Sequence, residues 1–230
     1  MRAVIRSQAA ACSFLLLSAI LLLGVACTSQ AHAGPRFGLE VGVNTSSLLY
    51  KSSDQFPFTY WDQGWRTSFT GGATLEISFS ERFSLQTGLR YVEQGSAYKF
   101  DFDPIFPGLV GEGRVVQQYI SVPALMALRP TASRRFFVAV GPELAFLTSA
   151  RTVIESAILA GGETSSEIAK NMESMNLTLD AAAGYEFPLQ QHTGVVSVRY
   201  THGLVGAAKE DDWASDWRTQ GIEGLLGMRW

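Results

Sequence analysis

Few residues in this chain have the types and spacing that catalysis or metal binding needs. The histidines are His32, His192 and His202, and none stands at metal-ligand spacing from another ligand. His202, Asp211 or Asp212 and a loop serine are the types from which a nucleophile, base and orienting acid are built. The same types occur in any polar loop, so the pattern alone defines no site. Gly71-Gly72 and Gly161-Gly162 lack the companions of a phosphate-binding loop. No catalytic residue, metal site or cofactor is expected.

The charged residues offer another chemistry. Glu40, Glu76, Arg90, Glu143, Asp180, Glu186, Arg199, Glu223 and Arg229 each sit in an alternating run, on the face that carries Gly, Ala, Ser and Thr. If that face lines a closed interior, acids and bases must interleave and pair, because an unpaired buried charge is costly. The competing reading is a charged path for solutes.

What must position these charges is a set of strands. Eight segments show the period-2 alternation of β-structure. They run over 37–44, 68–79, 83–91, 120–128, 136–146, 177–187, 196–201 and 222–230. In the first, Phe37, Leu39, Val41 and Val43 oppose Gly38, Glu40, Gly42 and Asn44. The connections at 80–82, 130–134 and 188–193 are short, whereas those at 46–65, 96–113, 148–173 and 205–217 are long. Short and long alternate without exception, as do the tight periplasmic turns and long outer loops of membrane barrels. The expected fold is all-β: an eight-stranded antiparallel transmembrane up-and-down barrel.

Counting back from the turn at 80–82 sets Glu76 opposite Gln86 and Arg90 opposite Gly72. Counting from Pro188 sets Arg199 diagonally beside Asp180. The uncharged apolar face suits lipid, and small residues with mixed charge suit the side-chain-filled lumen of a narrow barrel. A soluble barrel would reverse the faces. The leader and the loop asymmetry favour the membrane. Phe37, Phe79, Phe83, Phe136, Tyr185, Phe187 and Trp230 fall near the periplasmic turns, as an interfacial girdle or as ordinary strand packing.

Residues 1–33 read as an export signal. Arg2 and Arg6 precede an apolar core over 14–23 that is too short to span a bilayer, and Ala31-His32-Ala33 offers a small-x-small cleavage site before Gly34. The domain then occupies 34–230. Cleavage removes both cysteines, Cys12 and Cys27. The rival is lipidation at Cys27, where Leu23-Gly24-Val25-Ala26-Cys27 loosely matches a lipobox. A net charge of −3 gives no support for binding nucleic acid.

Phe37-Gly38-Leu39-Glu40-Val41-Gly42-Val43-Asn44 resembles the opening strand of the PorT-like outer-membrane β-barrel proteins. Phe83 to Tyr91, Tyr119-Ile120-Ser121-Val122-Pro123-Ala124-Leu125, Val140-Gly141-Pro142 and Arg199 to Leu204 are similar to later strands of that family. The resemblance covers 37–230 with short motifs. It implies an outer-membrane barrel in a Gram-negative envelope, in a family mostly without assigned activity whose PorT members take part in secretion.

The expected function is therefore structural or interactive, through the outer loops, with a secretion-associated role among the readings. A lipid-active enzyme or a small-solute passage is the alternative. Expected partners are outer-membrane lipids, the barrel-assembly machinery, and an extracellular partner at loops 46–65 and 96–113. Those loops carry Phe56-Pro57-Phe58-Thr59-Tyr60-Trp61 and Phe100-Asp101-Phe102-Asp103-Pro104-Ile105-Phe106. Residues 154–175 read in part as an amphipathic helix over the barrel mouth. Trp230 resembles the terminal aromatic assembly signal of outer-membrane proteins.

Overall fold

A computed structural model describes residues 34–49, 61–101, 110–130, 135–156, 163–206 and 218–230 of the chain. The expected leader, most of the aromatic and acidic loop motifs, and Asp211 and Asp212 lie outside the described residues. The strands are β1 (Arg36–Leu49), β2 (Trp61–Gly64), β3 (Arg66–Ser78), β4 (Phe83–Asp101), β5 (Val110–Leu128), β6 (Phe136–Ser156), β7 (Glu163–Glu167), β8 (Met175–Leu189), β9 (His192–Gly203) and β10 (Arg218–Arg229).

Eight of them close a ring in the order β1, β3, β4, β5, β6, β8, β9, β10 and back to β1, every pairing antiparallel. β2 adds to β4, and β7 adds to β6, above the ring. Closure removes the free edges that an open sheet would present to lipid. The β1–β10 seam is tied at its end by Trp230 N–H to the Phe37 carbonyl (2.9 Å) and Phe37 N–H to the Trp230 carbonyl (3.2 Å).

The seam also depends on a close backbone approach. A Cβ on Gly42 would lie 2.0 Å from the Gly224 carbonyl oxygen, so no other residue fits there without moving a strand. At 190–191 the chain reverses in two residues, and Gln190 takes a left-handed φ of 54°.

The outer wall is apolar. Leu39, Val41, Val43, Leu89, Val140, Val198 and Leu226 are each more than half exposed, and no charge interrupts their band. Ten residue steps from Phe136 to Phe146 on β6, at ~3.3 Å each and a tilt of roughly 40°, rise about 25 Å. That is the height of a lipid-facing belt. Phe37, Phe83, Phe136, Tyr185, Phe187 and Trp230 stand exposed at its periplasmic margin.

Two expectations are corrected. Much of the expected loops 46–65, 96–113 and 148–173 is strand: β1 reaches Leu49, β4 reaches Asp101, β5 begins at Val110 and β6 runs to Ser156. Above the belt the alternation that marks a strand lapses. Val115 and Val116 are both buried, and the β5–β6 register shifts between Gln118 and Tyr119. Backbone pairing continues there without a lipid face to enforce the pattern.

The described residues of 154–175 do not include the expected amphipathic helix. They end β6, make β7 after an undescribed stretch, and turn once as a 3-10 helix at Ala169–Asn171. The Gly161-Gly162 pair disfavours a helix, and β6 supplies strand partners instead. The described residues of this segment pack against the outer end of the barrel. Met172 packs with Leu48, Val115 and Ala150, all at most 4% exposed, and Gln117 Nε2 donates to its sulfur at 3.6 Å.

Candidate functional site: two ion-pair layers in the lumen

The register sets Glu76 opposite Gln86 and Gly72 opposite Arg90, with Arg199 opposite Ala182, two positions from Asp180 on the same face. Pleating turns each of these side chains inward. The nine charges expected to face inward occupy two levels of the lumen.

The upper level is built around Arg90, which is 1% exposed. Its Nε lies 2.9 Å from Glu40 Oε1, its Nη1 donates to Glu143 at 2.8 Å, and its Nη2 donates to Glu223 and, at 3.2 Å, to Thr70. Arg199 approaches the same acids more loosely: Glu143 at 3.4 Å, Glu40 at 3.6 Å and Asp180 at 3.8 Å. Asp180 accepts a hydrogen bond from Thr178 Oγ1 at 3.0 Å. Strands β1, β4, β6, β8, β9 and β10 are thereby joined through one guanidinium pair.

The lower level holds Glu76 and Glu186 among three guanidiniums. Arg229 Nη1 reaches them at 2.6 and 2.7 Å, and Arg129 Nη2 at 2.5 and 2.7 Å. Arg36 Nη2 adds 2.7 and 3.2 Å, and Arg129 Nη1 also donates to Ser84 at 2.9 Å. The Phe137 ring lies under this group, 5.5 Å from the Arg229 guanidinium carbon and 6.0 Å from that of Arg129. Gly184 makes room for that ring, since a Cβ there would lie 2.4 Å from it. Phe137 packs with Leu125, Ala127, Ala139 and Val195 as the apolar part of the lumen.

Arg36 and Arg129 are absent from the sequence-derived set. Each stands one step outside a counted run, on the inward parity: Arg36 two residues before Gly38, Arg129 two after Ala127. Carrying the alternation one residue further finds both.

The levels differ in charge. The upper has Arg90 and Arg199 against Glu40, Glu143, Asp180 and Glu223, or 2 − 4 = −2. The lower has Arg36, Arg129 and Arg229 against Glu76 and Glu186, or 3 − 2 = +1. His202 belongs to neither; its ring stacks on Tyr200 at 6.5 Å, and Tyr200 faces outward. Among the described residues no group of His, Cys, Asp or Glu could hold a metal ion.

A closed antiparallel ring, apolar outside and charged within, is the architecture of a bacterial outer-membrane barrel. The chain belongs to the family described as outer membrane protein beta-barrel domain, whose model matches residues 29–207. No curated protein matches it. Among solved structures it is similar to Ail, the attachment invasion locus protein of Yersinia pestis, solved with the heparin analogue sucrose octasulfate. The identity is 12% and the TM-score 0.41, with 86% of this chain and 100% of that one covered. It is similar to Neisserial surface protein A at 12% identity and TM-score 0.39, over 85% of this chain and 98% of that one. A third likeness is OprG of Pseudomonas aeruginosa, at 10% identity and TM-score 0.37, over 86% and 96%.

Proposed function

We propose that this outer-membrane barrel is closed to solutes and acts as a structural or interaction protein through its extracellular side. The observation that carries the reading is the filling of the lumen. Two ion-pair layers cross it, and the cavity found between them is about 10 Å³, room for a single water. Toward the outer end an apolar cluster of Leu48, Val115, Ala150 and Met172 is buried as well. The resemblance to PorT-like proteins supports a secretion-associated role for the outer surface. Loops 46–65 and 96–113, including their strand ends, are where a partner would bind.

On this reading residues 1–33 are removed after Ala33, and outer-membrane lipids surround the mature barrel. The barrel-assembly machinery engages the Trp230 end. No enzymatic step is assigned to it. Planar-bilayer recording of the refolded protein tests the closed lumen. No steady conductance is expected, and a reproducible open level in the unmodified protein overturns the reading.

A further inference from the structure

We infer that one buried water molecule is a fixed component of the lumen, held between the two ion-pair layers by Gln86, Arg199 and Glu40. The inference deepens the closed-lumen reading and rests on it. The cavity of about 10 Å³ between the layers is bounded by Glu40, Thr74, Glu76, Gln86, Arg199 and Arg229, among others. Its volume is close to the smallest that admits one water.

The walls ask for an occupant that both donates and accepts. Gln86 Nε2 and Arg199 Nε are buried donors with no hydrogen-bond partner among the described residues. Glu40 Oε1 receives no well-directed hydrogen bond, although it sits in ion-pair contact with Arg90. A water accepts from the two donors and donates to the carboxylate, satisfying all three. Its neutrality matters as much as its size. A bare anion would meet Glu40 and Glu76, and a bare cation would meet Arg199 and Arg229, so either is repelled from one wall.

The site lies where the two layers of unlike charge meet: Glu40 and Arg199 on its walls belong to the upper, and Glu76 and Arg229 to the lower.

A crystal structure of the refolded protein at a resolution that shows ordered water tests this, with parallel crystals soaked in bromide and in rubidium. One water peak within hydrogen-bond distance of Gln86 and Arg199 is expected, with no anomalous peak at the site in either soak. Gln86→Leu should lose that peak while the Arg90 contacts persist. An ion peak, or a dry site with Gln86 bonded to another side chain, overturns the inference, and the unmodified protein decides it even if the variant does not fold. Conductance reports on the lumen separately. A leaking barrel with the water in place and a sealed barrel with a dry site are thus distinguishable failures.

Discussion

Arg90 touches three carboxylates and a hydroxyl, and its replacement is the most damaging single change available in the lumen. Arg90→Leu leaves Glu40 and Glu143 with only the longer ion pairs of Arg199, takes from Glu223 its ion pair, and should cost ~3–5 kcal/mol, the usual penalty for orphaning buried charge. Asp180→Asn should behave differently. Its level already holds four acids against two bases, and its own contact with Arg199 is the longest there, at 3.8 Å. A cost under ~1 kcal/mol is expected, since an amide still accepts from Thr178. Urea unfolding of the two variants, refolded side by side in detergent, measures the difference. Equal losses would refute the charge count on which the contrast rests.

At the scale of the strand, two devices can be varied alone. Gln190 occupies a left-handed conformation in a two-residue turn, and a non-glycine residue there carries steric strain. Gln190→Gly should stabilise the β8–β9 hairpin by ~0.5–1 kcal/mol, seen as a higher urea midpoint at unchanged slope. Gly42→Val should do the opposite, because its Cβ would strike the β10 backbone at the seam. The expected result is loss of the compact, heat-modifiable species on a semi-native gel. The strands themselves were legible wherever lipid enforces alternation: 37–44, 83–91 and 136–146 all lie inside observed strands. Their upper extensions were not. Gln94, Gly95 and Ser96 form no apolar stripe, and β2 and β7 are four and five residues long, held by pairing with distant chain that no local pattern announces. The lower ion-pair layer was half legible for a related reason, since Arg36 and Arg129 extend runs whose apolar residues have already ended.

For the whole molecule, closure of the ring runs through Trp230. The Trp230 ring stands half exposed at the periplasmic margin, while its backbone makes two hydrogen bonds to Phe37 across the seam. Trp230→Ala keeps those bonds and removes only the ring. If the ring is an assembly signal, the variant should show several-fold less folded protein in the outer membrane of cells yet refold normally in detergent. Unchanged levels in cells would leave the indole as a girdle residue alone. Intact mass of the purified protein checks the leader: a chain beginning at Gly34 is expected, and an acylated chain beginning at Cys27 would replace that account.

The height of the wall built by β4, β5 and β6 has a consequence for any outer partner. β5 holds 19 residues, and at ~3.3 Å per residue and a tilt of roughly 40° it climbs about 45 Å, some 20 Å beyond the apolar belt. Lipid headgroups account for only ~5–8 Å of that rise on each side. Lys99 and Glu112, paired at 2.8 Å near the strand tips and each more than half exposed, therefore stand in bulk electrolyte. Mobile ions screen charge there within about 8 Å at physiological strength. Recognition by the tips should fade as salt is raised, while the buried pairs of the lumen, out of reach of those ions, keep the barrel folded. Charge-based binding at the tips is therefore expected to weaken as sodium chloride is added, at concentrations that leave the barrel folded.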